Sequence, residues 1–125
     1  DMRVPISYGL HYPDRVDVPV RPLDLAEVGA LTFEPVDTDT FSCLRLARAA
    51  GIIGGTAPCT LNAANEVAVH AFLSGELRFL DIARVIDGTL EQLPAGQIHS
   101  FDALAQADRD ARRVAGELIR ARTGA

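Results

Sequence analysis

At 125 residues, 48% of them hydrophobic, the chain is long enough for one packed core and too apolar to be disordered. Its formal net charge of −5 excludes the basic face that binding to a nucleic-acid backbone requires, so no nucleic-acid partner is expected. All 12 cationic side chains are arginines; without lysine there is no Schiff-base chemistry and no phosphate-loop lysine.

The first forty residues are broken by Pro13, Pro19 and Pro22, and only "ALTFEPVD", residues 30–37, reads as a short strand. A lone strand cannot pair its backbone donors and acceptors, so it is expected to belong to an α/β domain of which this chain holds only the end. The chain is therefore read as a C-terminal fragment, and the aspartate at position 1 agrees with that.

Helical periodicity takes over from Cys43. Cys43, Leu46, Ala47 and Ala50 recur at i, i+3, i+4 and i+7, and Gly51 is the expected stop. The glycine-rich "GIIGGTAPC" reads as a loop. A second helix follows with Thr60 as its cap, the stripe Ala64, Val67, Ala68, Ala71 and Phe72, and Gly75 as its end. The third begins near Asp81, buries Ile82, Val85, Ile86, Leu90 and Leu93, and ends at Pro94. Gly88 within it costs ~1 kcal/mol against alanine and is tolerable where a neighbour packs closely. After a turn around "SFDAL", Asp108 is the expected cap of a fourth helix with Ala111, Val114, Ala115, Leu118 and Ile119 inward.

The expected fold class is thus mainly α: a C-terminal four-helix bundle, residues 38–125, preceded by an irregular segment, residues 1–37, with one short strand from an incomplete α/β domain. Cys43 and Cys59 lack metal-site spacing and are expected as buried, reduced thiols. No apolar run reaches the ~18 residues of a membrane span and the N-terminus lacks signal-peptide order, so the expected setting is cytoplasmic, without a membrane partner.

Few residues offer chemistry. His11, His70 and His99 have no metal-ligand spacing, and Glu66 with His70 at i+4 reads as a solvent-facing pair. "GIIGGT" matches neither a dinucleotide fingerprint nor a nucleotide loop. "TFSC" and "LSGE" hold hydroxyls outside any nucleophile elbow. In "TLNAANEVAVHAF", residues 60–72, Asn62, Asn65 and Glu66 lie at one-turn spacing beside an apolar stripe. No partner carboxylate or histidine completes an acid–base pair, so a structural role is expected: satisfying backbone groups at the start of the second helix or across to a neighbouring segment.

The segments "DMRVPISYGLHYPDR", "PLDLAEVGALTFEPVD", "FSCLRLARAAG" and above all "LNAANEVAVHAFLSGELRFLDIARV" resemble, in order and spacing, the C-terminal part of the 1-deoxy-D-xylulose 5-phosphate reductoisomerase family. The resemblance spans nearly the whole chain. It implies an NADPH-dependent enzyme that uses a divalent cation, magnesium or manganese, to isomerise and reduce 1-deoxy-D-xylulose 5-phosphate to 2-C-methyl-D-erythritol 4-phosphate in isoprenoid biosynthesis. It also implies an upstream dinucleotide-binding domain, an upstream catalytic domain and a homodimer at full length. The family's metal ligands, phosphate-binding cluster and glycine-rich cofactor loop fall upstream of Asp1. The resemblance therefore carries over no catalytic, cofactor-binding or metal-binding residue, and implies that this fragment alone is inactive and binds no cofactor. It carries over only Met2, in "DMR", as a substrate-proximal contact. Where the family often has a hydroxyl residue before "DIA", Leu80 stands here, which leaves Asp81 as the cap. The rival reading is a stand-alone helical interaction module without activity, which leaves the orphan strand unexplained.

Overall fold

The computed structural model describes residues 1–123, with the backbone alone for Thr123. Residues 124 and 125 of the expected bundle domain lie outside the described residues. Among the described residues six helices follow in order: α1 (Arg3–His11), α2 (Leu25–Val28), α3 (Cys43–Ile53), α4 (Ala57–Leu73), α5 (Asp81–Gln92) and α6 (Phe101–Thr123). The chain divides into two compact units, Asp1–Pro35 and Val36–Ala125.

The first unit holds α1 and α2, neither of which the periodicity announced. Pro5 stands within the first turn of α1, where a missing N–H costs nothing, and the Asp1 carboxylate accepts from Arg3 N at 3.0 Å. In α2, Asp24 caps two backbone N–H groups, those of Ala26 at 2.8 Å and Glu27 at 3.3 Å. No residue of this unit is buried. The strand expected over residues 30–37 does not form, and there is no strand among the described residues. An extended segment without a neighbour to pair with gains nothing from strand geometry, and these residues stay irregular.

The second unit is the four-helix bundle, α3 to α6, with α4 packed most extensively, against α6 and α5. Small residues make this possible. Ala63, Ala64 and Ala68 of α4 and Ala111 and Ala115 of α6 are fully buried, alongside Val85 and Thr89 of α5. The Thr89 hydroxyl donates to Val85 O at 2.7 Å, so its burial leaves no polar group unpaired. Gly88 has the expected close neighbour: an added Cβ would stand 3.2 Å from Leu118 Cδ1.

Several boundaries differ from expectation. Gly51 lies inside α3, which ends at Gly54 with φ 70°, because a helix tolerates an interior glycine whereas a left-handed residue terminates it. Helix α4 begins at Ala57 with Pro58 in its first turn, so Thr60 is a buried interior residue and not the cap. Helix α6 begins at Phe101, seven positions before Asp108, because Ser100 Oγ accepts the Ala103 N–H at 3.1 Å. "SFDAL" is therefore its first turn. The α4 end is as expected: Gly75, at φ 78°, donates to Phe72 O while Glu76 N donates to Ala71 O, a Schellman closure. Cys43 is exposed and Cys59 half-buried, both free, so the expectation of buried thiols is wrong although that of no disulfide agrees.

Candidate functional site

The residues singled out in "LNAANE" fall on the outer side of α4, beyond its first turn. Asn62 Nδ2 donates to Glu66 Oε1 at 3.1 Å, one turn along, and not to a helix-terminal backbone group. Glu66 Oε2 accepts from Arg112 of α6 at 2.7 Å. Arg112 also grips Asp108, through Nε at 2.8 Å and a second nitrogen at 3.1 Å, in the bidentate geometry that suits a guanidinium. Asn62, Glu66, Arg112 and Asp108 thus form one chain of polar contacts across the α4–α6 seam. Asn65 is outside it: half-buried, with no hydrogen-bond partner for its amide among the described residues.

Charge and hydrogen bonding fix the ionisation of Glu66 and Arg112. The Arg112 hydrogen bond, helped by that of Asn62, holds the Glu66 carboxyl below its ordinary value. Its two carboxylate partners hold the Arg112 guanidinium above its own, so it stays cationic at any working pH. His70 lines the same open depression of about 380 Å³ as Glu66, Val67 and Arg112, but Glu66 is committed to Arg112 and makes no bond to the imidazole. A general base must be free to accept a proton, and Glu66 is not. Desolvation raises the Cys59 thiol, whose Sγ faces Leu104 O at 3.7 Å, so it is no activated nucleophile.

The sequence had signalled half of this cluster. Asp108 and Arg112 at i, i+4 are a recognisable ion pair, but nothing local shows Arg112 reaching Glu66 from forty-six positions away. Exposure limits its worth: Glu66 keeps 53% of its side-chain surface and Arg112 40%. A double-mutant cycle on Glu66→Ala and Arg112→Ala, read by urea unfolding, is expected to return the small, salt-screened coupling of a surface ion pair, and one that vanishes in high salt. Asn65→Ala is expected to shift stability by no more than about 0.5 kcal/mol, since it breaks no bond. A loss above about 1 kcal/mol at Asn65 would point to a partner beyond these contacts.

Acid sensitivity follows from the same pairings. Asp81 is also held below its ordinary value, by the Arg84 hydrogen bond against opposing desolvation, with Arg78 assisting. Unfolding releases both carboxyls to their ordinary values near ~4, so below that range the unfolded chain binds more protons. Their stabilisation is complete above the unfolded values and is lost as pH falls through the lowered folded ones. Urea midpoints measured from neutral to strongly acid pH should therefore decline, and Asp81→Asn should flatten the decline. An unchanged acid limb in that variant would reject the assignment.

Met2, in the first unit, sits at the start of α1 with 70% of its surface exposed. Its neighbours Asp1 and Arg3 are paired with one another at 2.6 Å, and Arg3 also donates to Pro19 O at 2.9 Å. The thioether is thereby presented from a pinned turn. Among the described residues there is no group of three or more His, Cys, Asp or Glu that could hold a metal ion. No helix among them is long and apolar enough to cross a membrane.

Residues 1–114 match the family model described as the DXP reductoisomerase C-terminal domain. The chain belongs to this family. Its similarity to curated reductoisomerases is high: 53% identity over 95% of this chain to the 1-deoxy-D-xylulose 5-phosphate reductoisomerase of Ectopseudomonas mendocina, and 54% over 92% to that of Cupriavidus pinatubonensis. It spans 30% and 29% of those relatives' lengths. Among solved structures, it is similar to the reductoisomerase from Zymomonas mobilis in complex with NADPH, at TM-score 0.82 and 37% identity, covering 95% of this chain and 32% of that one. A DOX-P reductoisomerase with fosmidomycin and magnesium matches at TM-score 0.81 and 34% identity, covering 99% of this chain and 33% of that one. The resemblance carried by "LNAANEVAVHAFL" and its flanking segments is thus one of family, and the DXP reductoisomerase C-terminal domain is the helical architecture described above.

Proposed function

We propose that this chain serves as the C-terminal part of an NADPH-dependent reductoisomerase that converts 1-deoxy-D-xylulose 5-phosphate to 2-C-methyl-D-erythritol 4-phosphate, a step of isoprenoid biosynthesis. The carrying observation is the match to the reductoisomerase C-terminal domain along residues 1–114, together with relatives about three times as long that bear the enzyme's name. In this reading the cofactor and a divalent cation are held by upstream domains of the same protein. The bundle braces those domains, residues 1–37 form the tail of the catalytic domain and its linker, and Met2 stands at the substrate rim. Asn62 and Glu66 act structurally, at the α4–α6 seam. The whole protein is a cytoplasmic homodimer with neither nucleic-acid nor membrane partners.

The absence of any buried residue in the first unit supports this division, since Val4, Leu10, Leu23, Leu25, Leu31 and Phe33 need cover that the unit does not supply. The alternative of a stand-alone interaction module finds no favouring observation. The test is a chimera in which these 125 residues replace the corresponding C-terminal stretch of the Ectopseudomonas mendocina relative. NADPH oxidation with 1-deoxy-D-xylulose 5-phosphate is expected from the chimera and not from the chain alone. Met2→Ala in the chimera is expected to raise KM more than it lowers kcat. Turnover by the isolated chain, or a folded chimera that turns nothing over, would defeat the proposal.

A further inference from the structure

Where α5 begins, three guanidinium groups converge on one carboxylate. Asp81, whose side chain keeps 9% of its surface, accepts from Arg84 at 2.7 Å and from Arg78 at 3.2 Å, and Arg122 stands 3.7 Å away. Arg78 comes from the turn before α5, Arg84 from its first turn and Arg122 from the end of α6. Among the described residues no second carboxylate lies within ion-pair distance of any of the three. Asp87, one turn beyond Arg84, makes no ion pair with it. Three cations therefore share one anion on a chain whose net charge is −5.

The donor count points the same way as the charge. Each guanidinium presents a planar fork of N–H donors, and the two Asp81 oxygens take up only one nitrogen of Arg78 and one of Arg84 at hydrogen-bond distance. The remaining donors face water, since Arg78 keeps 90% of its side-chain surface, Arg84 62% and Arg122 40%. Free forks around a buried carboxylate suit a tetrahedral or planar oxyanion that can accept from several of them at once, and suit a spherical halide poorly.

We propose that Arg78, Arg84 and Arg122 form a binding site for a small, multiply charged oxyanion of the phosphate class, seated on the solvent side of Asp81. The site is independent of the reductoisomerase reading, since it uses only residues of the bundle. Because the forks are exposed and screened by salt, binding is weak, of roughly millimolar strength. Its distinguishing property is the direction of the Asp81 effect: the buried carboxylate competes with the ligand for the same donors.

Inorganic phosphate titrated into the 125-residue chain at constant ionic strength, with chloride as the reference, tests this by calorimetry and by melting temperature. Phosphate is expected to raise the melting temperature in a saturable way that chloride does not reproduce. Arg84→Gln with Arg122→Gln is expected to weaken phosphate binding at least tenfold while the phosphate-free melting temperature stays within a few degrees. Asp81→Asn is expected to bind phosphate more tightly than the parent, the opposite of what general damage to the fold would produce. Equal effects of phosphate and chloride would overturn the site. So would glutamine variants that bind as the parent does, which would mark the contact as an adventitious ion only. Should Asp81→Asn fail to fold, the glutamine variants alone decide.

Discussion

Gly55→Ala is expected to destabilise the bundle by about 2–5 kcal/mol and to lower its melting temperature by roughly 10 °C or more. Two penalties combine. Gly55 sits at φ 54°, a left-handed conformation that costs an L side chain about 1–2 kcal/mol. Its added Cβ would also fall inside van der Waals contact with the Gly96 carbonyl oxygen, which is backbone and cannot swing aside. That carbonyl is held in place because it accepts the Thr56 N–H at 3.0 Å, while the Gly96 N–H donates to Thr56 Oγ1 at 2.9 Å. The turn between α3 and α4 is thereby clasped to the linker between α5 and α6, and a shift that relieves the clash breaks both bonds. Gly51→Ala is the matched control: its Cβ meets nothing within 4 Å beyond the backbone of its own helix, and replacing an interior helical glycine is expected to stabilise by about 0.5–1 kcal/mol. Thermal unfolding of the pair should show opposite signs. Equal melting temperatures for Gly55→Ala and the parent would remove the clasp from the account of this fold.

That clasp also marks the limit of what the sequence disclosed. Four amphipathic stripes identified α3 to α6, and Gly75 and Pro94 marked two ends correctly, because periodicity and helix stops are local properties. In a run such as "GIIGG", by contrast, several glycines could each supply the left-handed stop. Tertiary contact with Gly96 fixes the conformation of Gly55, and that contact is invisible along the chain. The start of α6 was missed for a related reason. Its first turns carry only half-buried Ala103, Leu104 and Ala107, too weak a stripe to extend the pattern back from Asp108 to the Ser100 cap. Helix α1 contains a proline, a glycine and two β-branched residues in nine, so propensity argued against it. The strand over residues 30–37 erred the other way: its β propensity is real, but a strand exists only with a partner.

The polar cluster divides in the same manner. Spacing placed Asn62 and Glu66 one turn apart, and that pair forms, whereas Asp108, expected as a helix cap, instead pairs with Arg112 one turn along. Their meeting across α4 and α6 depends on how those helices cross, and no local signal encodes that. Of the two structural roles expected of the asparagines, at the start of the second helix or across to a neighbouring segment, the first took Thr60 as the helix cap. With the helix beginning at Ala57, Asn62 and Asn65 lie past the unpaired N–H groups of the first turn.

Ala115→Leu is the second large effect, expected to destabilise by about 1–3 kcal/mol and to lower the melting temperature by about 5–20 °C. Ala115 is fully buried in the cluster that holds Ala64, Ala68 and Ala71 of α4 with Val85 and Ile86 of α5. Alanine at these positions lets α4 and α6 approach closely, and Ala115 has no exposed surface along which an isobutyl group could extend. Accommodating it would spread the helices and lengthen the Glu66–Arg112 bond, which spans the same seam at 2.7 Å. Ala121→Leu, on an exposed position of the same helix, adds the same atoms without that constraint and should stay within about 0.5 kcal/mol of the parent. The contrast isolates packing from helix propensity, which is nearly equal for the two changes. If Ala115→Leu proved as neutral as Ala121→Leu, the close α4–α6 approach would not be what fixes this bundle, and the seam-spanning polar cluster would have to be credited with setting the helix spacing instead.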